Sequence, residues 1–406
     1  MPESADSLRC PGMIDLAGTD MARLRHVEER FSELARARGF EEVRTALIEF
    51  LHLYTRSGTL SPQLLGRVYS FLDWDGWSGE RVVLRPDSTV AVARLYGERH
   101  PGQTRRLFYA QPVLRFAGAD ERRETWQCGA EVIGEAAGVS DIELILLAEG
   151  ILHALGLADR ELHLSHSGIL KTLLARTGWE AAAQSAVYDR ILDGDRSAVG
   201  ETGAALSGLE LGMKLLLESQ GHGPEYVVNL KAAFSEVPEL AGPLGELEEA
   251  STLLLAADVN HAIVTPLARD FEYYTGLVFH LQRQGEVLAS GGRYDHLVQL
   301  VTGQAAPACG FALDSERVAA AIELAADSLP SIALIADETA AGPALRLLKA
   351  LSNEGLAATL NPASHNGLVV EVTAQAYRRG EKVTPANDEG VASIVEQLSR
   401  EALARS

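Results

Sequence analysis

An α+β architecture follows from three features of this sequence. Helical and strand periodicities come in separate blocks, the middle of the chain holds a run of short strands in antiparallel order, and a small α/β unit of its own follows Pro330. Residues 19–38 carry Leu24, Val27, Phe31 and Leu34 at three- and four-residue spacing, which predicts an amphipathic helix. Thr19 or Asp20 would cap its start, and Gly39 follows its end. Residues 42–49 alternate as a strand. Further short strands are predicted over 68–72, 82–84 and 107–114, with a helix over 88–98 between them. A strand over 129–134 and a long helix over 140–155 follow, the helix carried by Ile142, Leu144, Leu146, Leu147 and Ile151. Residues 169–256 read as mostly helical, broken near Gly194, Gly200 and Gly221–Gly223. An antiparallel meander is then predicted over 262–267, 273–281 and 286–290, and 309–325 reads as a strand running into a helix. Beyond Pro330, strands over 331–336, 356–360 and 368–372 alternate with helices over 342–352 and 389–404. No internal repeat or low-complexity tract interrupts this order.

A chain of 406 residues favours two or three domains. Its 47% hydrophobic and 23% charged residues are those of an ordinary globular protein with a sizeable core. No stretch of 18 apolar residues is present to span a bilayer, and residues 1–15 are polar and acidic without a secretory h-region. Cys10, Cys128 and Cys309 lie far apart, which suits a reducing, cytoplasmic compartment and makes no metal-ligand spacing. A net charge of -20 argues against a polynucleotide as the main partner, because phosphate neutralisation dominates such binding.

Four clusters carry candidate chemistry. In Leu84-Arg-Pro-Asp-Ser-Thr89, Pro86 fixes a turn, and Asp87, Ser88 or Thr89 can cap the next helix. A plain cap would use the same residues, while a functional Asp87 would also accept from a ligand ammonium. In the second cluster, Arg115 ends one strand of a hairpin and can grip a carboxylate or phosphate. Gln127 and Glu131, four apart, share one face of the returning strand. An inward carboxylate needs a partner, so a salt bridge from Glu131 to Arg115 or Arg269 is the structural alternative. The third cluster is Arg269-Asp-Phe-Glu-Tyr-Tyr-Thr-Gly276 with Gly291-Gly-Arg-Tyr-Asp295. Tyr273 and Tyr274 in a strand would face opposite ways, and the glycine pair would allow close backbone approach. The fourth is Gly310-Phe-Ala-Leu-Asp-Ser-Glu-Arg317, a strand-to-helix passage in which Arg317 reads equally as a surface arginine. Together, Arg115, Gln127, Glu131 and Arg269 are expected around one small zwitterionic ligand.

Taken in order, these motifs resemble class II histidyl-tRNA synthetases and their paralogues from about Pro11 to Arg317, with Arg115–Glu131 similar to the second class II motif and Gly310–Arg317 to the third. The resemblance implies a dimeric antiparallel sheet flanked by helices. It assigns residues 1–329 to the synthetase-like core, with a helical insertion at about 169–256. Residues 330–406 become a reduced C-terminal α/β domain. It implies histidine contacts from Asp87, Thr89, Arg115, Gln127, Glu131, Arg269, Tyr273 and Tyr274, and a remnant nucleotide site at Arg115, Arg123 and Arg317.

The departures carry more. Synthetases have an acidic residue where this chain has Ala117 and an arginine where it has Glu121. The histidine before the matching glutamine is Trp126, the glycine after the signature arginine is Asp270, and the first motif's proline is Ala46. The C-terminal unit is shorter than an anticodon-binding domain. Amino-acid features persist while nucleotide and tRNA features are lost, a pattern that looks like the regulatory subunits of ATP phosphoribosyltransferase. That resemblance implies no catalytic residues, no cofactor and no metal. It also implies a homodimer inside a hetero-octamer with the short catalytic subunit, histidine as feedback ligand, and no tRNA. An active histidine–tRNA ligase and a stand-alone amino-acid-binding module are the alternatives.

Overall fold

The structure, a computed structural model, describes residues 8–56, 66–74, 79–118, 121–192, 195–206, 208–218, 221–265, 273–324, 332–363, 365 and 367–403. The chain divides into two compact units, Met1–Ile322 and Glu323–Ser406. Pro330, read from sequence as the boundary, lies outside the described residues.

The first unit opens with helix α1 (Gly18–Ala37), which buries Leu24, Val27, Phe31 and Ala35. The helix starts before Thr19 and Asp20, so neither caps it; Ala17 holds the cap position without a side-chain bond, and Asp20 instead supplies negative charge to the first turn. Strand β1 (Glu41–Glu42) is followed by β2 (Ile48–Phe50), a short helix α2 (Leu51–Arg56), β3 (Ser70–Trp74) and β4 (Gly79–Leu84). The single strand expected over 42–49 is therefore broken. Its first end pairs with the main sheet and its second with β4. Between them the Arg85 guanidinium, buried at 2% exposure, donates to the carbonyls of Thr45, Ala46 and Pro112. Alternation in sequence cannot show that two ends of one run pair with different sheets.

Helix α3 (Ser88–Arg99) takes Asp87 as its N-cap, whose carboxylate accepts from Val90 N at 3.0 Å. Strands β5 (Arg105–Leu114) and β6 (Glu124–Ile133) form the expected hairpin, and helix α4 (Val139–Ala154) follows. Then come β7 (Glu161–His166) and the helical segment: α5 (Ser167–Ala175), α6 (Ala181–Leu192), α7 (Arg196–Ala205), α8 (Glu210–Glu218), strand β8 (Gly221–His222), α9 (Gly223–Ala233) and α10 (Ala241–Ala256). Gly200 lies inside α7 and breaks nothing, whereas Gly194 is outside the described residues. Gly221 begins a strand, and a Cβ there would run into the Tyr226 ring. The unit closes with β9 (Ala262–Ile263), β10 (Leu277–Arg283), β11 (Glu286–Arg293), helix α11 (Leu297–Thr302), β12 (Ala308–Asp314) and α12 (Ser315–Ala321). The expected strand start at Tyr273 is too early, because pairing begins at Leu277.

Among the described residues the main sheet has nine strands in the order β1-β5-β6-β12-β11-β10-β7-β9-β8, antiparallel from β5 to β7. One face carries an aromatic core in which Phe31 of α1 meets Phe108 and Phe311 at 6.1 and 6.0 Å between ring centroids. The other face holds the site. A separate sheet, β2-β4-β3, lies apart from it.

The second unit has β13 (Ile332–Ala336), helix α13 (Ala341–Asn353), β14 (Ala358–Leu360), β15 (Leu368–Val372), β16 (Ala376–Arg379), β17 (Lys382–Pro385) and α14 (Asp388–Leu403). Its strand order is β14-β13-β15-β16-β17, with both helices on one core around Leu334, Leu347, Val370 and Leu398. Sequence analysis missed the β16–β17 hairpin. Its two-residue turn begins at Gly380 with φ +59°, a glycine-first signal set among charged residues rather than apolar ones. Among the described residues no helix is long and apolar enough to cross a membrane.

Candidate functional site

A cavity of about 340 Å³ opens over the strands β6, β12 and β11 and the start of α3. It is lined by Asp87, Thr89, Arg115, Gln127, Tyr273, Tyr274 and Arg317, which the sequence had marked from four separate segments. Chain reversals at β5–β6 and β11–β12 bring them together.

Glu131 lies just under the floor at 1% exposure. Its Oε1 accepts from Thr89 Oγ1 at 3.0 Å and from Tyr109 OH at 3.3 Å, and its Oε2 accepts a short bond from Tyr294 OH. Among the described residues it has no ion pair; of the two salt bridges offered as the structural alternative, that to Arg115 is absent, its place taken by three hydroxyls, and Arg269 lies outside the described residues. Burial pushes its carboxyl up to about 8, with Asp87 adding to the rise and the hydroxyls opposing it. Gly310 makes room for this carboxylate, since a Cβ there would collide with Oε2. Gly292 likewise yields to the Tyr274 ring, 2.9 Å from where its Cβ would sit. The Gly291–Gly292 pair allows the close backbone approach expected of it, since a Cβ on either would first meet a neighbouring-strand carbonyl, that of Gly310 or of Leu277.

Asp87 is 4% exposed, and burial raises its carboxyl despite the Val90 amide, Arg115 and Arg85. Arg115 reaches back to the same turn, where its Nε donates to Pro86 O at 2.9 Å. Tyr273 and Tyr274 do not point to opposite faces. They lie in a turn with rings 4.9 Å apart, and Tyr273 meets the edge of Tyr294 at 5.5 Å. The two-face expectation requires extended backbone, which this turn lacks. Lys171 of α5 donates to Tyr274 O at 2.9 Å and so ties the turn to the helical segment.

Behind this wall, Arg293 is buried against Asp141 at 2.9 Å and donates to Ser140 and to the carbonyls of Glu135 and Ala136. It fixes the end of β11 just before Tyr294. Arg317 sits at the opposite end of the cavity. Asp314 caps α12 through Arg317 N at 3.0 Å, and its carboxylate also meets Arg317 Nε at 3.1 Å.

Arg123, marked as part of a remnant nucleotide site, does not line the cavity. It donates to Ala117 O at 3.0 Å, and its guanidinium lies 4.7 Å from the centre of the Phe116 ring. Glu121 points away too, pairing with Arg67 at 3.4 Å. Trp126 opens onto a different surface groove beside α1. Arg269 and Asp270 lie outside the described residues.

Thr125, His280, Ser290, Tyr294 and Asp314 also line the cavity and were not assigned to it from sequence. His280 and Ser290 are cross-strand neighbours, so either would have pointed to the other had the β10–β11 register been known. The lining mixes both signs, with Asp87 beside Arg115 and Asp314 beside Arg317, so groups of either charge on a small zwitterion can find a partner. Among the described residues no cluster of three or more His, Cys, Asp or Glu could hold a metal. Cys128 and Cys309 are buried thiols, and burial pushes Cys128 up to about 12.

Residues 12–318 match the family model for histidyl-tRNA synthetase. The ATP phosphoribosyltransferase regulatory subunit of Dehalococcoides mccartyi is 43% identical over 313 residues, 76% of each chain. The histidine–tRNA ligase of Archaeoglobus fulgidus is 29% identical over 366 residues, 87% of this chain and 86% of that one. Among solved structures, one from Bacillus halodurans, described as an ATP phosphoribosyltransferase regulatory subunit/histidyl-tRNA synthetase, superposes with a TM-score of 0.72. It shares 21% identity and covers 90% of this chain and 95% of its own. That likeness concerns the fold.

Proposed function

The chain belongs to the histidyl-tRNA synthetase family and, within it, to the ATP phosphoribosyltransferase regulatory subunits, and from that premise we propose that it senses free histidine for a separate catalytic phosphoribosyltransferase subunit. The observation that carries this reading is the convergence of Asp87, Thr89, Arg115, Gln127, Tyr273 and Tyr274 on one cavity above the buried Glu131. In this reading Asp87 and Gln127 serve the ammonium, Arg115 and Arg269 the carboxylate, and Glu131, held by three hydroxyls beneath the floor, the imidazole. The Tyr273–Tyr274 turn covers the ligand, and Thr89 fixes Glu131.

Such a subunit performs no chemistry of its own. It regulates because histidine binds one arrangement of the assembly more tightly than another; equal affinity for both would shift nothing. The assembly is a hetero-octamer in the cytoplasm, with this chain as a homodimer and without tRNA. The homodimer is supported by Leu47, Ile48, Phe50, Phe71, Leu72 and Trp74, apolar side chains 41–65% exposed on and beside the β2-β4-β3 sheet.

Calorimetric titration with histidine tests the reading. Saturable binding is expected, weakened at least about tenfold by Glu131→Gln, since a lost charged or buried hydrogen bond costs roughly 1.4 kcal/mol or more. Absence of histidine binding would reject it. Histidine-dependent pyrophosphate exchange would reject the non-catalytic role.

A further inference from the structure

We propose that Asp314 and Glu286 are specificity-determining residues that close the Arg317 end of the cavity to polyphosphates, so the site takes a free amino acid and not a nucleotide. The inference rests on the amino-acid reading above and adds what the far end of the same cavity rejects.

Two arginines, Arg115 and Arg317, line that cavity, and paired guanidinium groups ordinarily favour phosphate oxygens. Here the second is already committed. Arg317 Nε lies 3.1 Å from Asp314 Oδ2 and 3.7 Å from Glu286 Oε1, and its Nη1 donates to Val287 O at 3.3 Å. Two carboxylates therefore share the one Arg317 guanidinium at this mouth, and the local balance is negative before any ligand arrives.

The Arg317–Glu286 pair alone is weak, because both partners are about half exposed. Asp314 matters more. Its side chain is only 19% exposed, it stands in the cavity wall, and it cannot swing away without giving up the cap on α12. A polyphosphate would bring several negative charges against this fixed carboxylate at short range, where screening is least effective. A free amino acid brings a single carboxylate and its own ammonium, and meets no such barrier.

The test uses the full-length chain and two probes, MgATP and histidine, each titrated alone. Asp314→Asn keeps the helix cap, since asparagine caps as well as aspartate, and Glu286→Gln alters an exposed strand end. For the unchanged chain, no saturation by MgATP is expected into the millimolar range. The double variant D314N/E286Q is expected to bind MgATP with a dissociation constant at least about tenfold below that limit, a modest return for removing two charges a few ångströms away. Adding Arg317→Ala to the double variant is expected to abolish the gain. Micromolar MgATP binding by the unchanged chain would overturn the proposal. So would a double variant with no gain, or a gain that survives Arg317→Ala. Histidine titration of the unchanged chain reads the amino-acid function independently, so its failure is distinct from failure of the exclusion.

Discussion

The two ends of the cavity handle charge in opposite ways. At the inner end Glu131 is 1% exposed, and three hydroxyl groups satisfy it without a cation among the described residues. At the outer end Arg317 is 46% exposed and shared among carboxylates. Burial decides the difference. An interior group must have every bond satisfied and becomes part of the fold, whereas a group at the mouth keeps water as an alternative and adjusts at small cost.

The interior side of this contrast is broken most severely at the support of the floor. Asp141→Ala removes the buried partner of the Arg293 guanidinium, 2% exposed, leaving the half-buried Asp295 as its remaining counter-ion, and is expected to cost about 3 kcal/mol. Urea unfolding would register this as a lower midpoint at constant slope. A loss under about 1 kcal/mol would mean that the interior tolerates the loss of a buried partner as readily as the mouth does.

A second expectation concerns pH. The Glu131 carboxyl stands at about 8 in the folded chain, against an ordinary value of 4.5. Below 4.5 both folded and unfolded states hold the proton. Between 4.5 and about 8 only the folded state holds it, so stability falls as pH rises through that window, and the loss is complete above about 8. Chemical denaturation across this range should therefore show a falling difference between the unchanged chain and Glu131→Gln. A flat difference would place Glu131 with the exposed carboxylates.

The smallest effect is expected at the mouth. Glu286→Gln should alter unfolding free energy by no more than about 0.5 kcal/mol, and high salt should erase even that. A larger change would show that the outer pairs are structural.

What could be read from sequence divides along the same line. Asp87 as a cap, the β5–β6 hairpin and the shared face of Gln127 and Glu131 were all visible, because each depends on spacing within one or two adjacent elements. The hydroxyl shell of Glu131 was not. Thr89, Tyr109 and Tyr294 come from three elements, and only the sheet register brings them to one carboxylate. Residues 42–49 misled because their alternation serves two sheets in turn, with Arg85 holding the break. Tyr273 and Tyr274 misled because aromatic residues beside a strand look like strand, while pairing waits until Leu277. Glu121 stands where the synthetases carry an arginine, a departure read from sequence as loss of a nucleotide contact, and it pairs with Arg67. Its sequence position was informative and its surroundings were not.

The short strand β8 has a consequence for how the molecule comes apart. Gly221 and His222 pair with β9, and β9 in turn pairs with β7, so the helical segment is stitched into the edge of the main sheet from within its own run. Segments joined by backbone pairing tend to open together rather than as detached lobes. Amide exchange at β8 should then follow that of β7 and not that of a loop. Excising the helical segment would also uncover a strand edge ready to pair with another chain, which makes it a poor candidate for trimming.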